Sequence, residues 1–148
     1  MSKTVTLEVI TPSKMFYKGE IELVTVKTAM GEEGFMAGHS WAVKLLGVGS
    51  MRIREADGNS RTAFVSGGFI DVKENITIYA DAAEWSENID VDRAKQVKAE
   101  AEQYIADNRA KDAKDPTRLP EDGPDIEYAR LQIEKSVQRI KIHERAPE

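Results

Sequence analysis

The sequence contains no cysteine. Disulfides and thiolate metal sites are therefore excluded, and a reducing compartment is compatible. Histidine is scarce: His39 and His143 lie far apart and form no metal-ligand cluster. No apolar run approaches the ~20 residues that span a bilayer. The alternating stretch Met1 to Ile10 lacks the apolar core of a signal peptide. Direct membrane insertion is not expected; a protein of this kind at a membrane is held there by another subunit. An excess of positive charge is also missing. The net charge of -5 argues against nucleic acid as a partner. No glycine loop ends in Lys-Ser or Lys-Thr to cradle phosphates. Ser66 precedes two glycines but has no histidine nearby to activate it. A catalytic residue is not expected in this chain, and a hydrolytic enzyme is the rival class it disfavours.

What is present fits a soluble domain with an appendage. The chain has 148 residues, 41% apolar and 32% charged. Val5, Leu7 and Val9 alternate with Thr4, Thr6 and Glu8, the period of a half-buried strand. Ile21, Leu23 and Val26 carry a second run, and Trp41 to Leu46 a third. Met51 and Ile53 precede Asp57-Gly58, a hairpin signal, and Ala63 and Val65 return. Gly67-Gly68 inside an apolar stretch suggests a bulge or a close backbone approach. Phe69 to Val72 and Ile76 to Ala80 form the last pair. Residues 4–81 therefore predict an antiparallel sandwich or barrel.

The period changes after Trp85. Asp90 is placed to cap a helix, with Ile89 before it as a staple. Val91, Ala94, Val97, Ala101 and Tyr104 recur at helical spacing, predicting a helix over 91–107. Residues 108–123 are polar, with Pro116, Pro120 and Gly123, and read as a loop. A second helix, 124–144, starts near Pro124 and carries Ile126, Ala129, Ile133, Val137 and Ile140. Neither stripe can be buried alone, so the two helices form an antiparallel hairpin leaning on the sandwich or on a partner. The division falls between 1–87 and 88–148.

The segments Gly31-Glu32-Glu33-Gly34-Phe35-Met36-Ala37-Gly38-His39, Val65-Ser66-Gly67-Gly68-Phe69-Ile70-Asp71-Val72, Ala80-Asp81-Ala82-Ala83-Glu84 and Ile89-Asp90-Val91-Asp92-Arg93-Ala94 form a set. Together they resemble the ATP synthase epsilon subunit family. Each is weak alone; their order and spacing cover nearly the whole chain. The resemblance implies a sandwich of about ten strands followed by a two-helix hairpin. It implies a non-catalytic central-stalk rotor subunit that couples ion-driven ring rotation to ATP synthesis and restrains ATP hydrolysis through its helices. The implied partners are the gamma subunit, the membrane c-ring, and the catalytic alpha and beta subunits when the hairpin extends. The implied location is peripheral, on the cytoplasmic face of the bacterial plasma membrane, with the chloroplast thylakoid as the less favoured alternative. The alternatives are a stand-alone sandwich-plus-hairpin adaptor and an ATP-sensing module.

The resemblance also assigns residues. Glu32, Glu33 and His39 would face the ring and gamma; otherwise they form a solvated turn, with His39 held by a local hydrogen bond. In this loop Ala37 and Trp41 stand where the family has proline. Arg130, Lys135, Arg139, Lys141 and Arg145 would meet an acidic segment of the beta subunits, against a reading as solvated charge. Glu84, Asp90, Arg93 and Arg139 match a nucleotide-binding pattern in which ATP is a regulatory ligand, while Glu100 and Lys135 stand where arginines are expected. The favoured reading is that Asp90 caps its helix and pairs with Arg93, leaving ATP binding weak or absent and no cofactor required.

Overall fold

The computed structural model describes residues 3–114 and 124–145. Among these, nine strands, β1 (Val5–Ile10), β2 (Met15–Thr28), β3 (Gly31–Phe35), β4 (Ala42–Leu45), β5 (Val48–Glu55), β6 (Ser60–Ser66), β7 (Phe69–Val72), β8 (Ile76–Tyr79) and β9 (Ala82–Trp85), precede helices α1 (Val91–Lys114) and α2 (Pro124–Arg145). The strands follow one hydrogen-bonded path, β4-β7-β8-β1-β2-β5-β6-β9, with β3 beside β2. All pairings are antiparallel except β1 with β8. The long β2 joins the two layers. Its first half pairs with β1, and from Ile21 onward it pairs with β5 and β3. Leu7, Val9, Ile21, Val24, Met51, Ile53, Ile70 and Ile78 fill the space between the layers, where burial of each large side chain contributes about 1.5–3 kcal/mol.

The expected architecture is present with nine strands in place of about ten, and three local readings change. Gly31 to Phe35 is strand, not loop, because its backbone pairs with Val24 to Thr28. Ala82–Trp85 is a ninth strand beyond residue 81, paired to β6, although its Ala-Ala-Glu-Trp sequence carries no alternation. The first helix runs on through residues 108–114, which read as loop. Ala, Arg and Lys there are good helix formers, and propensity outweighs polarity where no breaker intervenes. The remainder of the expected loop, residues 115–123, lies outside the described residues.

Local signals place the helices. The Asp90 carboxylate accepts the Arg93 backbone N–H at 3.0 Å, capping α1 as expected. Helix α2 begins at Pro124. Ala94, Ala101, Ile126 and Ala129 are buried as the helices pack together. Ile133, Val137 and Ile140 are only half-buried. The deeply buried positions further along α2 are Ser136 and Ile142, because α2 also packs on β5 and β6. Ile142 joins Val48, Phe64 and Ile89 in a second small core. No helix among the described residues is long and apolar enough to cross a membrane.

Candidate functional site

Glu84, Asp90, Arg93 and Arg139, far apart in sequence, line one concavity of about 420 Å³ together with Gln132. Glu84 arrives on β9, Asp90 and Arg93 at the start of α1, and Arg139 from α2. The Arg139 guanidinium donates from Nε to Glu84 Oε1 at 3.2 Å, and its Nη2 lies in ion-pair contact with the same oxygen at 3.0 Å. It also lies over the Phe64 ring, 4.5 Å from the centroid. In this arrangement the acid and the base satisfy one another, so a ligand must displace or share the pair. Glu100 lines an adjoining groove with Arg93, where its charge opposes a phosphate. Lys135 is half-buried.

The residues around His39 are not brought together in the same way. Glu32 and Glu33 sit on β3 and diverge. Glu32 accepts from Arg52 Nη2 at 3.0 Å. Glu33 is hydrogen-bonded by the Lys44 ammonium and the Thr28 hydroxyl. That ammonium, then the hydroxyl, holds the Glu33 carboxyl below the usual carboxylate range. His39 follows in the loop after β3. Its Nδ1 lies 2.7 Å from the Ser40 carbonyl oxygen, and its ring lies 4.9 Å from that of buried Phe35. The local hydrogen bond is thus present, with the ring partly exposed. The basic residues of α2 also separate. Arg130 is on the exposed surface, Arg139 turns inward, and Lys141 and Arg145 border a cleft with β5 and β6.

One feature was not found from sequence. Leu45, Phe69, Tyr79, Ile10 and Met15 are successive cross-strand partners over β4, β7, β8, β1 and β2. Leu45 is 76% exposed, Val43 67% and neighbouring Trp41 69%. Phe69 and Tyr79 stack with centroids 4.8 Å apart. This is an apolar row on the outer face of a sheet, ending at edge strand β4. Its signal was an exposed face on a strand whose both alternating faces carry apolar residues, and which face is outer depends on its neighbours.

Residues 4–86 match the family described as ATP synthase, Delta/Epsilon chain, beta-sandwich domain. An ATP synthase epsilon chain from Bacillus pumilus is 34% identical over 141 residues, 95% of this chain and 97% of the relative. One from Caldicellulosiruptor bescii is 36% identical over 139 residues, 93% and 92% of the two chains. A chain in the Euglena gracilis mitochondrial ATP synthase OSCP/F1/c-ring structure superposes with a TM-score of 0.72 at 22% identity, over 91% of this chain and 78% of that one. That likeness shows the shared fold. Matching the sandwich model over more than half its length and its bacterial relatives over nearly all of it, the chain belongs to the ATP synthase epsilon-chain family, whose members are non-catalytic subunits of that complex.

Proposed function

We propose that this chain is a central-stalk rotor subunit whose sandwich docks on the gamma subunit through the apolar row ending at Leu45. The row carries the reading. It is a contiguous exposed apolar surface of the kind that marks a protein interface, on the domain that defines the family. A solved relative of this fold, 15% identical with a TM-score of 0.58, is part of the Tetrahymena thermophila mitochondrial ATP synthase central stalk/cring. The loop at His39 then faces the c-ring, and the subunit is peripheral, on the cytoplasmic face of the bacterial membrane. Torque from the ring passes through the sandwich to the head. The test is copurification with gamma. Val43→Asp with Leu45→Asp should remove gamma from the pull-down while the thermal midpoint stays near that of the parent. Retained gamma would refute the docking surface, whereas a parent chain that captures no gamma would favour the stand-alone adaptor.

The helices form the regulatory half of this reading. Docked, α2 holds Arg139 against Glu84. Undocked and extended, it offers Arg130, Lys135, Arg139, Lys141 and Arg145 to the catalytic subunits and restrains ATP hydrolysis. Alanine at Arg130, Arg139, Lys141 and Arg145 together should raise hydrolysis by the reconstituted complex without loss of assembly. Unchanged inhibition would leave only a steric role for the helix.

A second reading, nucleotide sensing, is favoured by one observation: Glu84, Asp90, Arg93 and Arg139 share a concavity. Glu100 and the Glu84–Arg139 pair oppose it. Calorimetric titration should show ATP binding weaker than micromolar, tightened at least tenfold by Glu100→Arg. Micromolar binding by the parent chain would make the concavity a nucleotide sensor as it stands.

A further inference from the structure

The sheet surface beneath α2 changes character along its length. Cross-strand pairs Ser50–Phe64 and Arg52–Thr62 place these four residues on one face of β5 and β6, and Ser60 lies two positions before Thr62 on the same face. Phe64 is covered by Ile142 of α2. Beyond that contact the surface is polar. On α2, Gln138, Lys141, Ile142 and Arg145 follow one another at spacings of three, one and three, so they lie on one helix face. These two surfaces enclose a cleft of about 380 Å³, bordered by Arg52, Lys141, Arg145, Ser50, Ser60 and Thr62.

The charges in this cleft are unbalanced. Three cations meet one carboxylate, Glu32, and that carboxylate is already paired with Arg52 at 3.0 Å. Among the described residues, neither Lys141 nor Arg145 has a hydrogen-bond or ion-pair partner. The chain as a whole carries a net charge of -5, so this concentration of positive charge runs against its composition. Three hydroxyls, from Ser50, Ser60 and Thr62, lie on the sheet side, and two cations face them from the helix side. Guanidinium forks, an ammonium and hydroxyl donors converging from opposite walls suit an anion with several acceptor oxygens. A metal cation is opposed by the same charges.

We propose that this cleft binds phosphate, free or as the terminal group of a phosphate ester, and that the bound oxyanion ties α2 to β5 and β6. It is distinct from the concavity at Glu84 and Arg93, which opens elsewhere along α2. Bound phosphate neutralises Lys141 and Arg145 and so favours the docked helix. On the reading given above, these two cations are among those offered to the catalytic subunits, and occupancy withholds them.

The test uses the isolated full chain and is therefore independent of assembly. Sodium phosphate is titrated against sodium chloride at matched ionic strength, following backbone NMR shifts and amide exchange in α2. Phosphate should bind saturably and slow exchange in α2 at least threefold more than chloride. Lys141→Gln with Arg145→Gln should weaken phosphate binding at least tenfold. Arg145→Gln alone, at the exposed helix end, should weaken it at least threefold and serves if the double variant does not fold. Arg93→Gln should leave binding within twofold of the parent. Phosphate and chloride acting alike, unchanged binding in the Lys141 and Arg145 variants, or loss of binding in Arg93→Gln would each overturn the proposal. Competition by ATP distinguishes the sources. Displacement of phosphate identifies a nucleotide's terminal phosphate as a competent ligand, and its absence identifies the free ion; both retain the cleft as the binding site.

Discussion

Arg139 of α2 and Glu84 of β9, 55 positions apart, meet at one carboxylate oxygen, Oε1, through a hydrogen bond from Nε and an ion-pair contact from Nη2. The contact spans the helix–sandwich boundary and rests on the Phe64 ring, which shields it from water. Both side chains keep some exposure, so screening limits the pair to about 1–2 kcal/mol. Arg139→Met should therefore loosen α2 from the sandwich by that amount while leaving the sheet intact. Amide exchange of α2 relative to β5 measures it. A double-mutant cycle with Glu84→Gln should show most of the loss already present in either single variant.

Gly68 and Gly58 both have positive φ, at 98° and 90°, but their surroundings differ. A Cβ at Gly68 would lie 1.8 Å from the Tyr79 carbonyl oxygen, whereas one at Gly58 meets nothing within 4 Å. Gly58→Ala should cost about 1–2 kcal/mol from backbone strain alone. Gly68→Ala adds a backbone clash and should cost at least about 3 kcal/mol. Thermal unfolding of the two variants gives the comparison. Equal costs would mean that the β7–β8 approach relaxes freely.

Ser136 of α2 is fully buried, and among the described residues its hydroxyl has no hydrogen-bond partner. A buried unsatisfied hydroxyl costs about 1–3 kcal/mol, and alanine is the better helix former. Ser136→Ala should therefore stabilise the docked hairpin by about 1 kcal/mol or more, read as slower amide exchange in α1 and α2. A destabilised hairpin would show that the hydroxyl is satisfied in solution.

Tyr17 donates its phenol hydrogen to Glu55 at 2.9 Å. Burial first, then this hydrogen bond, pushes its pKa from 10.0 up to about 12. The neutral phenol is favoured in the folded state, so its contribution is complete below pH 10 and is lost as pH rises from 10 to 12. Stability of the parent should fall across that window, and Tyr17→Phe should flatten the fall. Chemical denaturation at successive pH values checks it.

Chain-local features were legible from the sequence because they depend on neighbouring residues. The alternation at Val5, Leu7 and Val9, the Asp57-Gly58 turn, the crowded Gly68, the Asp90 cap and the Pro124 start all express backbone and side-chain preferences over a few positions. The reading failed where pairing overrode preference. Gly31 to Phe35 has two glycines and two glutamates, a poor strand sequence, and becomes strand only because β2 offers it a partner. Ala82–Trp85 joins the sheet through β6 in the same way.

The sequence alone determined the order of a sheet domain followed by two amphipathic helices, because hydrophobic period is written residue by residue. It also supplied the residue pattern that marks the family. Only the tertiary structure decided which distant residues meet. The apolar row from Leu45 to Met15 draws one residue from each of five strands, so it exists only once strand order and register are set. Arg139 belongs to a basic helix in the sequence, but docking of α2 turns it inward onto Phe64 and Glu84 while leaving Lys141 and Arg145 at a cleft. Helical spacing fixes which residues share a face; only packing against another element fixes which face is buried.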